Sequence, residues 1–298
     1  MDLTNREAYL KAKKYLSTFK EKTFFDSEIY LLLMKANSYS NFTELIKNFD
    51  EKSANIDCFE RNLKKLASGE PIQYIMKEAP FFDLNISVNP NVLIPRPETE
   101  GLVDLTIKLI NNNKLNHKYI ADICTGSGCI ALYLKKVYPL STIFATDKYQ
   151  DAITVAKHNF NKYNKEIILL EGDKLDPIID RDIKLDVLIS NPPYVSNMDD
   201  IEDKVKNYEP LSAVYSKDGT IFYESYFKYH KKVMNPKFLM AFEINYDQEE
   251  RLTFLINKYF DITKIKYNFY KDIYDKTRYL VIEGNYDENI KQKWFKWS

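Results

Sequence analysis

The sequence predicts an α/β protein built on a doubly wound, mainly parallel sheet, with a small helical domain in front of it. Three observations carry that prediction. Past residue 100, apolar runs of strand length alternate with stretches at helical spacing, the order that a parallel sheet with helices on both faces requires. Residues 1–70 show helical spacing alone. Between them, residues 71–100 are punctuated by prolines and include Phe81-Phe82-Asp83-Leu84-Asn85-Ile86-Ser87-Val88, which reads as a β-hairpin followed by an extended linker.

The helical domain rests on its caps and stripes. Thr4-x-x-Glu7 is a capping box, Asp26 or Ser27 is placed to cap a helix over 29–36, and Ile56, Phe59, Leu63 and Leu66 share one helical face. In residues 101–298 the expected strands are 119–124, 142–147, 167–171, 185–190, 238–244 and 279–283. A length of 298 residues suits one domain of about 200 residues with a smaller partner. No repeat or low-complexity tract points to a solenoid or fibrous class.

Composition narrows the function classes. Lys plus Arg (43) balances Asp plus Glu (43), so no global field draws the chain to nucleic acid or to an anionic membrane. The first residues, Met1-Asp2-Leu3-Thr4-Asn5-Arg6-Glu7, lack the basic and apolar regions of a signal peptide, and the longest apolar run, 29–34, is too short to span a bilayer. A cytoplasmic protein is expected, and without a heptad seam a monomer. Cys58, Cys124 and Cys129 have neither CxxC spacing nor histidines beside them, so they read as reduced, with no metal site. His117, His158 and His230 read as surface or packing residues, since no nucleophile motif accompanies them.

Two motifs carry the chemistry. Asp122-Ile123-Cys124-Thr125-Gly126-Ser127-Gly128-Cys129 follows a strand and opens a helix, and Gly126-x-Gly128-x-x-Ala131 formally satisfies a dinucleotide fingerprint. Asp147 lies 19 residues after Gly128, at the end of the next strand, where its carboxylate can accept from ribose hydroxyls. An adenosine-containing ligand is the expectation, and NAD enzymes and methyltransferases both meet it. The strand 185–190 then ends in Asn191-Pro192-Pro193-Tyr194 at the carboxyl edge of the sheet. The prolines remove two backbone donors, which leaves carbonyls and the Asn191 side-chain oxygen to accept from an NH2 group, while Tyr194 offers a flat face to a planar substrate.

On those residues the chain resembles the amino-methyltransferases that carry Asn-Pro-Pro-Tyr, a group that includes adenine-amine methylases of DNA and RNA as well as protein-glutamine methylases. A third segment, Val92-Leu93-Ile94-Pro95-Arg96-Pro97-Glu98-Thr99-Glu100, is similar to the one preceding the methyltransferase domain in the PrmC/HemK family of release-factor glutamine methyltransferases. That resemblance extends through Gly69-Glu70-Pro71-Ile72-Gln73-Tyr74, Tyr208-Glu209-Pro210, Asp218-Gly219, Glu243, Asp272 and Arg278.

The resemblance implies a seven-stranded Rossmann-like sheet, S-adenosyl-L-methionine as cofactor, and as substrate the glutamine of the Gly-Gly-Gln loop of peptide chain release factors, whose body the helices of residues 1–70 would dock. It also implies roles. Cys124, Thr125, Gly126, Ser127 and Gly128 approach the methionine end of the cofactor, Asp147 holds the ribose, and Asp173 and Lys174 lie near the adenine. Asn191, which also contacts the cofactor, forms the catalytic set with Pro192 and Tyr194, joined by Pro193, Arg96 and Glu98 against the substrate. Four residues depart from the family pattern: Cys124, Lys77 and Asn245, where glycine is usual, and Lys174, where an apolar residue often lies. Cys124 is the first place to look for strain, whereas Asn245 can adopt the left-handed conformation that glycine would. An adenine-amine methyltransferase and a degenerate, non-catalytic binding module remain the competing readings.

Overall fold

The computed structural model describes residues 3–20, 22–115 and 117–286. Met1 and Asp2 of the N-terminal reading and residues 287–298 of the last expected domain lie outside the described residues. The chain divides into two compact units, Met1–Ala79 and Pro80–Ser298.

The first unit is helical: α1 (Asn5–Leu16), α2 (Asp26–Asn37), α3 (Phe42–Lys47), α4 (Ile56–Ser68) and α5 (Ile72–Met76). The capping box forms, with the Glu7 N–H donating to Thr4 Oγ1 at 3.2 Å and the Thr4 N–H donating to Glu7 Oε2 at 2.9 Å. The start of α2 differs from expectation. Asp26 is its first helical residue and Phe25 the cap, because Glu28 reaches back to accept the Phe25 N–H at 3.0 Å. Phe59, Leu63 and Leu66 of α4 bury against Leu32 and Leu33 of α2 and Ala8 and Ala12 of α1, the purpose of the apolar stripe. Lys77 ends α5 at φ 65°, a left-handed conformation that glycine adopts without penalty.

At the boundary, β1 (Glu78–Phe81) pairs with β2 (Leu84–Ser87) as a two-stranded sheet. There follow α6 (Pro97–Asn112), β3 (Tyr119–Ile123), α7 (Cys129–Val137), β4 (Thr142–Asp147), α8 (Gln150–Lys162), β5 (Ile168–Glu171), α9 (Asp176–Ile179) and β6 (Leu185–Ser190). The chain continues through α10 (Asp203–Tyr208), α11 (Ile221–Val233), β7 (Met234–Glu243), α12 (Glu249–Tyr259), β8 (Ile265–Lys271) and β9 (Thr277–Asn285). The seven-stranded sheet has the order β5-β4-β3-β6-β7-β9-β8, parallel from β5 through β7 and antiparallel beyond.

Every residue of β6 is buried, as expected of a parallel strand covered on both faces. β8, which was not anticipated, is an edge strand opposite β5, half-exposed along its length and, among the described residues, paired to β9 alone. The strand order reverses between β3 and β6, whose last residues, Ile123 and Ser190, are direct neighbours. Ligands of open α/β sheets bind at such a reversal, outside the carboxyl ends of the strands.

Candidate active site

Both chemistry-bearing loops leave the sheet at that reversal. The chain turns out of β3 through Cys124 (φ 62°), Gly126 (φ 54°) and Gly128 (φ 80°) before α7 begins. Asp122, fully buried, braces the turn by accepting from the Thr125 hydroxyl at 2.5 Å and the Ala131 N–H at 3.2 Å. Buried Asn159 of α8 accepts the Ser87 N–H and donates to the carbonyls of Ser87 and Ser127, each within 2.9 Å. The loop is therefore held from both sides.

Burial pushes the Asp122 carboxyl up to about 7 against the two hydrogen bonds that favour its charge, and its Oδ1 has no hydrogen-bond partner among the described residues. The folded state thus prefers the proton more than the unfolded state does, so this residue's contribution to stability falls as pH rises from the ordinary carboxylate range through about 7. Asp122→Asn keeps an acceptor for Thr125 and Ala131 and never ionises. Its stability relative to the wild type is expected to rise between pH 4 and pH 8 in thermal melts, and a difference independent of pH would refute this account.

Asp147 ends β4 as the sequence predicts. Its carboxylate accepts the Gly126 N–H at 2.9 Å and the Tyr149 N–H at 3.0 Å. Burial raises its pKa, and backbone N–H groups oppose that shift. Asp173 and Lys174 follow β5, with Lys174 at φ 49° donating to Asp173 at 2.7 Å and its ammonium 5.1 Å from the Phe222 ring. Cys124 is strained as anticipated. Burial lifts its thiol to about 12, so it is neither thiolate nor nucleophile. Asn245 does not need the left-handed conformation expected of it and is absent from the positive-φ residues. Its N–H donates to Gln248 Oε1 and its own side chain accepts the Tyr246 N–H, which builds the turn without a glycine.

After β6, Asn191 donates through Nδ2 to Thr99 Oγ1 at 3.0 Å, and Thr99 donates to Glu243 Oε2 at 2.8 Å. Tyr194 donates to the other oxygen of Glu243 at 3.0 Å. Burial and the Glu243 charge raise the Tyr194 phenol well above its usual value. Gln248 holds the Tyr194 carbonyl from its far side at 3.1 Å.

A cavity of about 240 Å³ opens between the loops. Of the expected residues, Arg96, Cys124, Thr125, Gly126, Ser127, Asp147, Asp173, Lys174, Asn191 and Pro193 line it. Gly128, Pro192, Tyr194 and Glu98 are not among its lining residues. Gly128 packs against α8 instead, where a Cβ would stand 2.6 Å from the Phe160 ring. Arg96 and Glu98, expected to act together, part company. The Arg96 guanidinium pairs with buried Glu209, whose second oxygen accepts the Ile94 N–H at 3.0 Å, while Glu98 offers its main-chain carbonyl to Tyr279 at 2.9 Å.

Thr99 and Glu209 stand in the sequence inside longer segments, and their contacts to the site leave no local signal. Among the described residues no three His, Cys, Asp or Glu side chains gather as a metal site.

Residues 102–208 match the family model described as "Methyltransferase small domain". The release factor glutamine methyltransferase of Staphylococcus aureus is 38% identical over 216 residues, 71% of this chain and 76% of that protein. The one from Clostridium acetobutylicum is 34% identical over 83% of this chain and 88% of its own length, and the one from Bacillus anthracis is 32% identical over 91% and 98%. Among solved structures, a methyltransferase from Pyrococcus furiosus superposes with a TM-score of 0.50 at 16% identity, covering 76% of this chain and 99% of that one, a likeness of fold alone. Identity at this level, sustained over most of both chains, means that the protein belongs to the release factor glutamine methyltransferase family.

Proposed function

We propose that this chain transfers a methyl group from S-adenosyl-L-methionine to the side-chain amide nitrogen of the glutamine in the Gly-Gly-Gln motif of peptide chain release factors. The observation that carries the reading is the convergence of the glycine loop and Asn191 on one cavity, in a chain 38% identical to a release factor glutamine methyltransferase.

The residues present fit the cofactor. Nothing lies within 4 Å of where a Cβ of Gly126 would stand, so the backbone there is open to the methionine end, flanked by Cys124, Thr125 and Ser127. Asp147 offers its carboxylate to the ribose hydroxyls, with Asp173 and Lys174 beside the adenine. When bound, the cofactor supplies an electrophilic methyl group on a positively charged sulfur.

The protein's task is alignment of nitrogen, methyl carbon and sulfur, for which fixed geometry supplies roughly 7–11 kcal/mol. An amide nitrogen is a poor nucleophile because its lone pair is delocalised. Asn191 Oδ1 and the Pro192 carbonyl accept its two N–H groups and stabilise the charge that develops on it. The nitrogen held there would take the methyl group, with the cofactor's sulfur left as a neutral thioether and one amide proton passing to solvent water. Pro193 and Arg96, which line the cavity, shape the substrate's approach, while for Tyr194 and Glu98 a substrate contact rests on the family resemblance alone.

In this reading residues 1–70 dock the body of the release factor, 71–100 link, and 101–298 perform the transfer. The protein works as a monomer in the cytoplasm, with no stable nucleic-acid complex and no membrane association. The balanced charge supports this, and no helix among the described residues is long and apolar enough to cross a membrane.

The test is incubation with labelled S-adenosylmethionine and a release factor, beside its Gln→Ala version and an adenine-containing duplex, with the label located by mass. Label on that glutamine alone is expected. Label on adenine, or cofactor binding without transfer, would replace the proposal.

A further inference from the structure

We infer that Thr99 and Glu243 are positioning residues for the transfer, acting together to fix which end of the Asn191 amide faces the cavity. The assignment rests on the reading of Asn191 as acceptor for the substrate amide, and it adds the device that aims it.

The argument is one of counting protons. A threonine hydroxyl carries one hydrogen and two lone pairs. Thr99 Oγ1 stands 2.8 Å from Glu243 Oε2, and both residues are buried, at 4% and 2% exposure. Two oxygens at that distance need a proton between them, and while Glu243 is ionised its carboxylate has none to give, so in that state the hydrogen belongs to Thr99. The hydroxyl then has only lone pairs for its other neighbour. Asn191, 3.0 Å away, must meet it with the NH2 end. Its Oδ1 is left with no hydrogen-bond partner among the described residues, on a side chain that lines the cavity.

The opposite orientation would set the Asn191 oxygen against the Thr99 lone pairs and turn an NH2 toward a substrate that itself brings N–H donors. The same carboxylate also fixes Tyr194, which donates to Oε1 at 3.0 Å, and Glu243 is held by Tyr223, which donates to its carbonyl at 2.7 Å. One anion thus orients both side chains that flank Pro192-Pro193.

Protonation of Glu243 would undo the count. A protonated carboxyl can donate to Thr99, which frees Thr99 to donate to Asn191 and lets the amide turn over. The groups facing Glu243 are Glu98 of α6, Tyr194 after β6, Tyr223 of α11, and Arg278 and Tyr279 of β9. Burial raises its pKa most, and Thr99, Tyr194 and Arg278 oppose the rise. The charged form that holds the amide is therefore lost as pH falls through a value above the ordinary glutamate range, which gives kcat an acid limb.

The experiment compares Thr99→Val, which keeps the shape and deletes the hydroxyl, with Thr99→Ser, Glu243→Gln and Asn191→Ala. Thr99→Val is expected to lower kcat about 10- to 100-fold, the scale of a misaligned reacting group, with cofactor binding within about twofold of wild type. Thr99→Ser restores kcat, and Glu243→Gln, which does not titrate, loses the acid limb.

Wild-type kcat in Thr99→Val, a loss that Thr99→Ser does not rescue, or an acid limb that persists in Glu243→Gln would each overturn the positioning role. Full activity in Asn191→Ala would instead overturn the reading of Asn191 on which it rests. An inactive Asn191→Ala beside an active Thr99→Val would remove the positioning role alone.

Discussion

Replacing Asn191 by alanine is expected to lower kcat about 10²- to 10³-fold, the loss seen when one preorganised polar group is taken from a site where charge develops. The side chain lies at the last position before two prolines, so no flexible neighbouring side chain can supply the missing acceptor. Cofactor affinity should change little, because Asn191 is one of many expected cofactor contacts, the rest spread over Asp147, Asp173, Lys174 and the glycine loop. A loss in kcat without a matching loss of binding marks an interaction made only in the transition state. Single-turnover methyl transfer beside equilibrium cofactor binding separates the two, and a kcat within threefold of wild type would remove Asn191 from the reaction.

Gly128→Ala is expected to have the largest effect on stability. The backbone there sits at φ 80°, and a Cβ would stand 2.6 Å from the Phe160 ring and 3.1 Å from Ala156 Cβ, both on α8. Left-handed strain costs about 1–2 kcal/mol, and forcing two packed helices apart costs about 1–3 kcal/mol more. At 2–4 °C per kcal/mol for a unit of this size, the midpoint should fall by roughly 10 °C. Gly126→Ala isolates the first term, since its Cβ would meet nothing within 4 Å. That variant should lose only about 1–2 kcal/mol. Equal losses in the two would show that contact with α8 contributes nothing.

What could be read in advance follows from where each signal resides. β4 and β6 run over 142–147 and 185–190 as expected, since buried parallel strands are written as short unbroken apolar runs. β8 went unseen because Ile265–Lys271 is an edge strand with lysines and asparagine among its aromatics, a pattern that suits many surfaces. The cap of α2 was misplaced because the deciding contact is made by Glu28 from inside the helix, not by the polar residue in front of it.

At the site, the glycine loop and Asn-Pro-Pro-Tyr were legible because few residue types can make those turns. The links that orient them were not. Thr99 meets Glu243 across 144 residues and Arg96 meets Glu209 across 113, and an acid waiting in a distant segment leaves no periodicity to detect.

Those two separations also set a timetable. A chain made from its N-terminus at about 10 residues per second exposes the 91–99 wall of the cavity roughly ten seconds before Glu209 and Glu243 can leave the ribosome. Until then Arg96 lacks Glu209, and Thr99 can meet Asn191 but not Glu243, and contacts so far apart in sequence form late. The wall its substrate would touch thus waits on segments made long after it.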